Sequence, residues 1–121
     1  MTFLERLSSE LGDAVTTGAD INPKHRGDMS LSADATPLAV IRPRTTEQVS
    51  AALRLCHEHN IAVVPQGGLT GLAGGANAIA GAVALSLDRM AGVEEVDAAA
   101  ATLTVKAGTP LEVAQAAAAD A

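Results

Sequence analysis

The stretch LAVIRPRTTEQVSAALRLCHEHNIAVV, residues 38–64, decides the fold class. Its first five residues, Leu38–Arg42, form a β-branched run that predicts a short strand. Residues 46–59 repeat apolar side chains at helical spacing behind Thr45–Gln48, a capping box, and so predict an amphipathic helix. Ile61–Val64 predicts a second buried strand. A strand, a helix and a strand of these lengths make a βαβ unit with parallel strands and a right-handed crossover, so the sequence predicts an α/β fold.

The residues before this unit divide into a helix and an irregular segment. Apolar residues recur at helical spacing over residues 3–15 and predict a short amphipathic helix. Residues 20–37 are polar and rich in turn formers without periodicity, which is typical of an irregular connection. We therefore treat residues 1–37 as an N-terminal helix with an irregular lead-in, and residues 38–121 as the main domain.

The residues after the unit predict more sheet and a final helix. Ala82–Leu87 predicts a third strand, and Val93–Val96 with Thr102–Ala107 predicts a pair of strands. Thr109–Glu112 forms a second capping box with proline at the first helical position, which predicts the start of a helix. The last residues, LEVAQAAAADA, continue that helix without a stop signal. We therefore expect a domain that is truncated at its C-terminus.

Composition limits the function classes open to this chain. With 121 residues, 48% hydrophobic and 18% charged, it is expected to form one compact domain. A formal net charge of −6 argues against nucleic acid as a partner, because nucleic acid is bound by neutralising its phosphates. The single cysteine excludes an internal disulfide or a cysteine-based zinc site. The sequence shows neither a signal peptide nor an apolar run of bilayer length, so a cytoplasmic location is expected.

The strongest local signal is VVPQGGLTGLAGGANA, residues 63–78, which holds five of the eleven glycines. Glycines permit positive φ and remove Cβ atoms, so successive backbone N–H groups can converge on an anion such as phosphate. Thr70 can add a hydroxyl donor. The stretch lacks the lysine of a Walker A loop and the GxG step of a Rossmann fingerprint, so neither motif is present. A glycine-rich turn needed only for packing is the alternative.

Three motifs in this order resemble a known family: P-x-T/S-x-x-x-V at Pro43–Val49, P-x-G-G-x-T-G at Pro65–Gly71, and Ala107-Gly108 before a helix. Residues 38–113 thereby resemble the N-terminal FAD-binding segment of the flavoproteins that include D-lactate dehydrogenase, the glycolate oxidase flavin subunit and D-2-hydroxyglutarate dehydrogenase. The resemblance implies the first half of a two-part FAD-binding domain of the vanillyl-alcohol-oxidase (PCMH) type, with a βαβ unit and a mixed sheet.

The resemblance also implies a cofactor site. In that family the glycine loop wraps the FAD pyrophosphate, which assigns the cofactor contacts to Gln66, Gly67, Gly68, Leu69, Thr70, Gly71, Gly74 and Gly75. Relatives that attach FAD covalently carry a histidine after the glycine pair, whereas this sequence has Leu69 there. The resemblance therefore implies FAD that is bound non-covalently.

By resemblance the protein is an FAD-dependent dehydrogenase or oxidase that acts on CH–OH groups. It would oxidise a 2-hydroxy acid of the D-lactate, glycolate or D-2-hydroxyglutarate type to the 2-oxo acid, with hydride passing from C2 to flavin N5. Electrons would then leave to a quinone, a cytochrome or an electron-transfer flavoprotein. The resemblance leaves open a homodimer and a location peripheral to the inner membrane. The catalytic residues of the family normally lie further along the chain, so none is assigned.

Two other functions are compatible with these residues. One is a non-catalytic α/β module whose glycine loop holds a phosphate or nucleotide. The other is a flavoenzyme with the same cofactor fold and different chemistry, such as an enolpyruvyl reductase or an ether-lipid synthase. Sequence beyond the final helix would separate these two functions from the oxidation of a 2-hydroxy acid.

The remaining polar residues predict no chemistry. His57 and His59 lie two positions apart on a helix and therefore diverge by about 200°. They cannot share a metal ion, and no metal site is predicted. His25 is expected in a surface turn, and Asp88 and Arg89 are expected to pair or to cap a turn.

Overall fold

The computed structural model describes residues 1–121 as three α-helices and two sheets. The elements are α1 (Phe3–Leu11), β1 (Val15–Thr17), β2 (Ala39–Ile41), α2 (Thr46–Glu58), β3 (Val63–Gln66), β4 (Val83–Ser86), β5 (Val93–Asp97), β6 (Thr102–Val105) and α3 (Leu111–Ala119). Short 3₁₀ turns lie at Gly12–Ala14, Gly18–Asp20 and Pro23–Arg26. No helix has the length and apolar character that crossing a bilayer requires.

The larger sheet has the strand order β1-β2-β4-β3. Strands β2, β4 and β3 run parallel, with Ala84 opposite both Val40 and Val64. The predicted βαβ unit is therefore present, but β4 lies between its two strands. Strand β1 pairs antiparallel with β2, and β5 and β6 form a separate antiparallel hairpin. The predicted α/β class with a mixed sheet is confirmed.

The core lies between the larger sheet and helices α1 and α2. Leu7 of α1 and Leu55 of α2 are fully buried against Ile41, Val83 and Leu85 of the sheet. The opposite face of the sheet, with Val40 and Ala84, is covered by Ile21 of the lead-in. The lead-in is thus part of the packing of the sheet.

Cys56 fills a place in this core, since only 2% of it is exposed. Burial raises the pKa of the Cys56 thiol above its usual range. Because the thiolate is the reactive form, this environment suits a packing residue better than a nucleophile.

The prediction of a helix over residues 3–15 is wrong at its end. Helix α1 stops at Leu11 because Gly12 takes a positive φ of 52°. Val15 instead begins β1, where it lies opposite Ile41. The pairing joins residues 26 positions apart, so local periodicity carries no signal for this strand.

The prediction of a second strand over Ile61–Val64 is also wrong at its end. Strand β3 continues through Pro65 to Gln66. A proline is tolerated there because β3 is the edge strand of the sheet, so its missing N–H leaves no neighbouring strand unpaired. The extra two residues place the Gln66 side chain on the same face as Val64.

The two predicted capping boxes differ in outcome. Thr45 caps α2 by accepting a hydrogen bond from the Gln48 N–H at 3.1 Å, but the Gln48 side chain accepts from the Arg44 N–H and not from Thr45. The second box does not form. Thr109 Oγ1 lies 2.7 Å from the Lys106 carbonyl oxygen and accepts from the Gly92 N–H at 3.0 Å. Pro110 becomes the residue that precedes α3.

Candidate functional site

The glycine loop follows β3 and forms one wall of the largest cleft in the structure. The cleft has a volume of about 740 Å³. Gly67, Gly68 and Thr70 line one side of it, and residues 107–112 line the other. It lies beyond the carboxyl ends of the parallel strands β3 and β4, where open α/β sheets place their ligands.

The backbone of residues 67–71 presents its N–H groups without protein partners. None of these five groups donates a hydrogen bond to another part of the chain. Leu69 has a φ of 60°, and such a left-handed residue among right-handed or extended neighbours turns successive N–H groups toward a common point. No side chain fills the space at Gly67 or Gly68, because a Cβ there would meet nothing closer than 4.0 Å. These residues fit an anionic group such as a pyrophosphate.

The rest of the loop is fastened to the lead-in. We call residues 25–32 the clamp because seven hydrogen bonds join them to residues 66–78. The bonds that include backbone atoms are Met29 N to Gly71 O (2.9 Å), Ala78 N to Arg26 O (2.8 Å), Gly74 N to Asp28 Oδ2 (3.0 Å), Asp28 N to Asn77 Oδ1 (3.2 Å) and Gln66 Nε2 to His25 O (2.8 Å). The Asn77 side chain also donates to Ser32 Oγ at 2.8 Å.

Gln66 and His25 meet inside this clamp. The Gln66 side chain is 1% exposed, and His25 is 3% exposed. His25 Nδ1 lies 2.9 Å from Gln66 Oε1. The expectation that His25 lies in a surface turn is therefore wrong, because the lead-in folds back over the sheet and buries the ring. The Gln66 side chain packs behind the loop and away from the cleft wall.

Gly74 and Gly75 also lie outside the cleft lining. The Gly74 N–H is taken by Asp28, and its φ of 78° favours glycine. Gly75 is exposed, and a Cβ added to it would meet no atom within 4 Å. Of the eight residues assigned by resemblance, residues 67–71 thus present N–H groups without partners, Gln66 and Gly74 bind the clamp, and Gly75 is exposed.

Asp28 is the buried charge of the clamp. It accepts hydrogen bonds from the Ser30 N–H at 2.9 Å and from the Gly74 N–H. Hydrogen bonds from Ser30, and then from the loop backbone, hold the pKa of Asp28 below its ordinary value. Its ionised carboxylate therefore supports the loop at neutral pH. Sequence reasoning missed Asp28, since its partners lie up to 49 positions away.

The cleft itself carries no lysine or arginine. Asp88 lies at its edge and pairs with Arg42 at 2.9 Å and with Lys24 at 3.6 Å, not with Arg89. Partial burial acts to raise the pKa of Asp88, but the hydrogen bond from Arg42 and the two positive charges outweigh it, so the pKa lies below its ordinary value. Binding of an anion in the cleft therefore depends on backbone dipoles.

The opposite wall of the cleft depends on a close backbone contact. A Cβ on Gly108 would overlap the carbonyl group of Leu87. The Gly108 N–H donates to the Met90 carbonyl oxygen at 2.8 Å. Only glycine permits this approach, which brings residues 107–112 beside the loop.

The structure brings together no three His, Cys, Asp or Glu side chains that could hold a metal ion. His57 is exposed on α2, and His59 Nδ1 lies 2.9 Å from the Leu55 carbonyl oxygen. No residue in the cleft combines a suitable position with the environment of a general base.

Comparison with known proteins identifies related sequences. Residues 37–121 match the family described as FAD binding domain. The chain is 47% identical over 76 residues to D-2-hydroxyglutarate dehydrogenase of Xanthomonas citri pv. viticola, which covers 63% of this chain and 16% of that protein. It is 33% identical over 96 residues to probable D-lactate dehydrogenase, mitochondrial, of Danio rerio, which covers 79% and 19%. It is 35% identical over 95 residues to glycolate oxidase subunit GlcD of Bacillus subtilis, which covers 74% and 20%.

Solved structures share the fold. Xylooligosaccharide oxidase from Myceliophthora thermophila C1 superposes with a TM-score of 0.77 at 21% identity, over 98% of this chain and 25% of that one. Alkyldihydroxyacetonephosphate synthase gives a TM-score of 0.75 at 22% identity, over 88% and 22%. The chain spans roughly a fifth of the length of the curated relatives that it matches.

Proposed function

The chain belongs to the FAD binding domain family of FAD-linked oxidoreductases, with FAD as its cofactor, and from that premise we propose that residues 67–71 hold the FAD pyrophosphate. The observation that carries the proposal is the row of five backbone N–H groups without protein partners, three of which belong to the cleft-lining residues Gly67, Gly68 and Thr70. Hydrogen bonds to a charged acceptor are about twice as strong as neutral ones. The loop can therefore bind a diphosphate although the cleft lacks basic side chains.

Two substitutions in the loop test this assignment. Gly68→Val fills the space in front of the N–H groups. We expect this variant to keep the fold, because a Cβ at residue 68 meets only the Thr70 methyl group at 4.0 Å. We expect Gly68→Val in the full-length protein to weaken FAD binding about hundredfold, as for the loss of two charge-assisted bonds. Thr70→Val removes one hydroxyl and is expected to cost about 1 kcal/mol. Equal losses, or a Gly68→Val protein that stays yellow after dialysis, would contradict the assignment.

We propose that the flavin is held without a covalent bond. Leu69 lies at the position where covalent relatives carry histidine, and its side chain has no nucleophilic atom. His57 and His59 belong to α2 and its end, which precede the loop. Acid precipitation of the full-length holoprotein is expected to leave the yellow colour in the supernatant. Colour that stays with the pellet would show a covalent link.

For the whole protein we propose oxidation of a 2-hydroxy acid to the corresponding 2-oxo acid. The support is the printed names of the relatives, which are D-2-hydroxyglutarate dehydrogenase, D-lactate dehydrogenase and a glycolate oxidase subunit. When bound, FAD supplies the hydride acceptor. The described residues hold the diphosphate and thereby orient the cofactor. No residue among them is assigned to substrate binding or proton removal.

Anaerobic mixing of the yellow holoprotein with single substrates tests this activity. We expect D-lactate, glycolate or D-2-hydroxyglutarate to bleach the flavin absorbance, and xylobiose to leave it unchanged. Reduction by a sugar alone would favour a flavoenzyme of the same fold with different chemistry, of which xylooligosaccharide oxidase is an example. No reduction by any substrate, with FAD firmly bound, would favour a binding module.

The partners and the location follow from the same proposal. The electron acceptor is proposed to be a quinone, a cytochrome or an electron-transfer flavoprotein. A homodimer and a location in the cytoplasm or at the inner membrane surface stay predictions. Five of the relatives carry the word mitochondrial in their names.

A further inference from the structure

Gln66 closes the base of the cofactor loop through its side chain. Its Nε2 donates to the carbonyl oxygen of Ala76 at 3.0 Å, which joins the two ends of residues 66–76. The same nitrogen donates to the His25 carbonyl oxygen at 2.8 Å. Both hydrogens of the amide are therefore used. Because a carbonyl oxygen can only accept, the amide nitrogen must face these two groups and Oε1 must face His25.

This arrangement fixes the hydrogen on the imidazole. Gln66 Oε1 is an acceptor, and His25 Nδ1 lies 2.9 Å from it. The hydrogen of the pair must therefore lie on His25 Nδ1. The Gln66 amide then uses its oxygen and both of its hydrogens, so it cannot be flipped without the loss of hydrogen bonds. Loss of the Nδ1–H would leave the buried amide oxygen of Gln66 without a donor, and a buried acceptor without a donor is costly.

We propose that His25 is a positioning residue for the cofactor loop, acting through Gln66 on the closed base of residues 66–76. The inference rests on the proposed function of residues 67–71. The N–H groups of these residues donate to no other part of the chain, so the shape of residues 67–71 depends on what holds the two ends of the loop. Gln66 holds one end, and the clamp holds Gly71 and Gly74 near the other.

The expected effect on affinity follows from the fraction of molecules whose loop is in the binding shape. A ligand that binds only this shape has an apparent Kd that rises as the fraction falls. His25→Leu removes the Nδ1–H and replaces the imidazole with an apolar side chain of similar length. We expect it to raise the Kd of FAD about tenfold, the size expected when one buried acceptor loses its donor.

Substitution of His25 by asparagine or by glutamine distinguishes the effect of the hydrogen bond from the effect of packing. The side-chain amide of asparagine can place an N–H near the position of Nδ1, whereas that of glutamine reaches nearer to Nε2. His25→Asn is therefore expected to keep the Kd of FAD within about threefold of wild type, and His25→Gln to behave like His25→Leu. His57→Leu, on the exposed face of α2, is the matched control and is expected to leave the Kd of FAD unchanged.

The experiment measures FAD binding by the full-length apoprotein and amide hydrogen exchange in the same variants. In His25→Leu we expect faster exchange at Met29, Gly74 and Ala78, whose N–H groups tie the loop to the clamp, and unchanged exchange in β4. A ¹⁵N spectrum of wild type should show the His25 proton on Nδ1. A proton on Nε2 with none on Nδ1, an unchanged Kd in His25→Leu, or faster exchange throughout β4 would each overturn the inference.

The Gly68→Val variant separates this inference from the proposed function. If Gly68→Val and His25→Leu both weaken FAD binding and His25→Asn restores it, both statements hold. If only Gly68→Val weakens binding, the loop binds FAD and His25 has no positioning role. If neither variant weakens binding, residues 67–71 are not the FAD site, and the proposed function itself fails.

Discussion

Residues 1–90 contain every buried side chain of the structure, whereas residues 91–121 contain none. In the first region two helices and the lead-in cover both faces of the larger sheet. In the second region α3 packs on the β5–β6 hairpin, but apolar side chains such as Leu111 and Val113 are 72% and 44% exposed. The two regions face each other across the cleft and are held in place by different means.

The first region is stabilised by burial of apolar surface and by the clamp. The second is attached through the backbone hydrogen bond from the Gly108 N–H to the Met90 carbonyl oxygen and through the close contact of Gly108 with Leu87. A region without buried side chains gains little from the hydrophobic effect, so its position depends on these few contacts. The cleft therefore combines a firmly fixed wall with one that is easily displaced.

The largest expected difference between the two regions is in the free energy of unfolding of two leucine variants. Leu55 is fully buried, and Leu55→Ala is expected to lower the free energy of unfolding by about 2–5 kcal/mol. Leu111→Ala removes the same atoms from a side chain that is 72% exposed, and we expect a change within about 0.5 kcal/mol. Urea unfolding followed by circular dichroism measures both. Comparable losses would mean that residues 91–121 share the core after all.

The next effect concerns the contact that brings the second wall into place. Gly108→Ala places a Cβ on the Leu87 carbonyl group, so the segment must move, at a cost of about 1–3 kcal/mol. We expect weaker FAD binding in addition, because residues 107–112 line the cleft. Gly75→Ala is the control for stability, since a Cβ there meets no atom within 4 Å. A Gly108→Ala protein with wild-type unfolding would disprove the close approach.

The smallest effect is a pH dependence within the clamp. The pKa of Asp28 is lower in the folded protein than its ordinary value of 3.8, chiefly through hydrogen bonds from Ser30. Its stabilising contribution is therefore present above pH about 4 and is lost as the pH falls through the lower, folded pKa. The difference in stability between wild type and Asp28→Asn should therefore become smaller as the pH falls through this range.

Unfolding curves at several pH values between about 6 and 2.5 measure this difference. Asp34→Asn is the matched control, because the Asp34 carboxylate lies in the same lead-in and makes no hydrogen bond or ion pair. A difference between wild type and Asp28→Asn that stays constant down to the lowest pH would show that the ionised carboxylate does not support the loop.

The sequence predictions are accurate where the interactions join residues close in sequence, and they fail where the partners are far apart in sequence. Helix α2 was predicted at residues 46–59 and spans Thr46–Glu58, because apolar spacing and a cap are local signals. Strand β1 and the buried pair of His25 and Gln66 depend on partners 26 and 41 positions away, which periodicity does not reveal. One usable signal was missed: in a strand that continues past Pro65, Gln66 shares the buried face of Val64.

The candidate site shows the same division. The open backbone at Gly67, Gly68 and Gly71 follows from the glycines themselves, since residues without side chains expose their N–H groups. The roles of Gln66 and Gly74 do not follow from the loop alone, because both bind the lead-in. Assignment of Gln66 and Gly74 to the cofactor stays a prediction.

The clamp also has a consequence for the order in which the chain folds. Its side-chain bonds join residues 41 to 49 positions apart, whereas α1 and α2 form from near neighbours. Closing loops of this length carries an entropic cost that grows with their logarithm, so such contacts form late. During synthesis the clamp cannot be completed until residue 78 has left the ribosome, because Ala78 donates to the Arg26 carbonyl oxygen. The lead-in is therefore the part of the N-terminal region that stays open longest to proteases and chaperones.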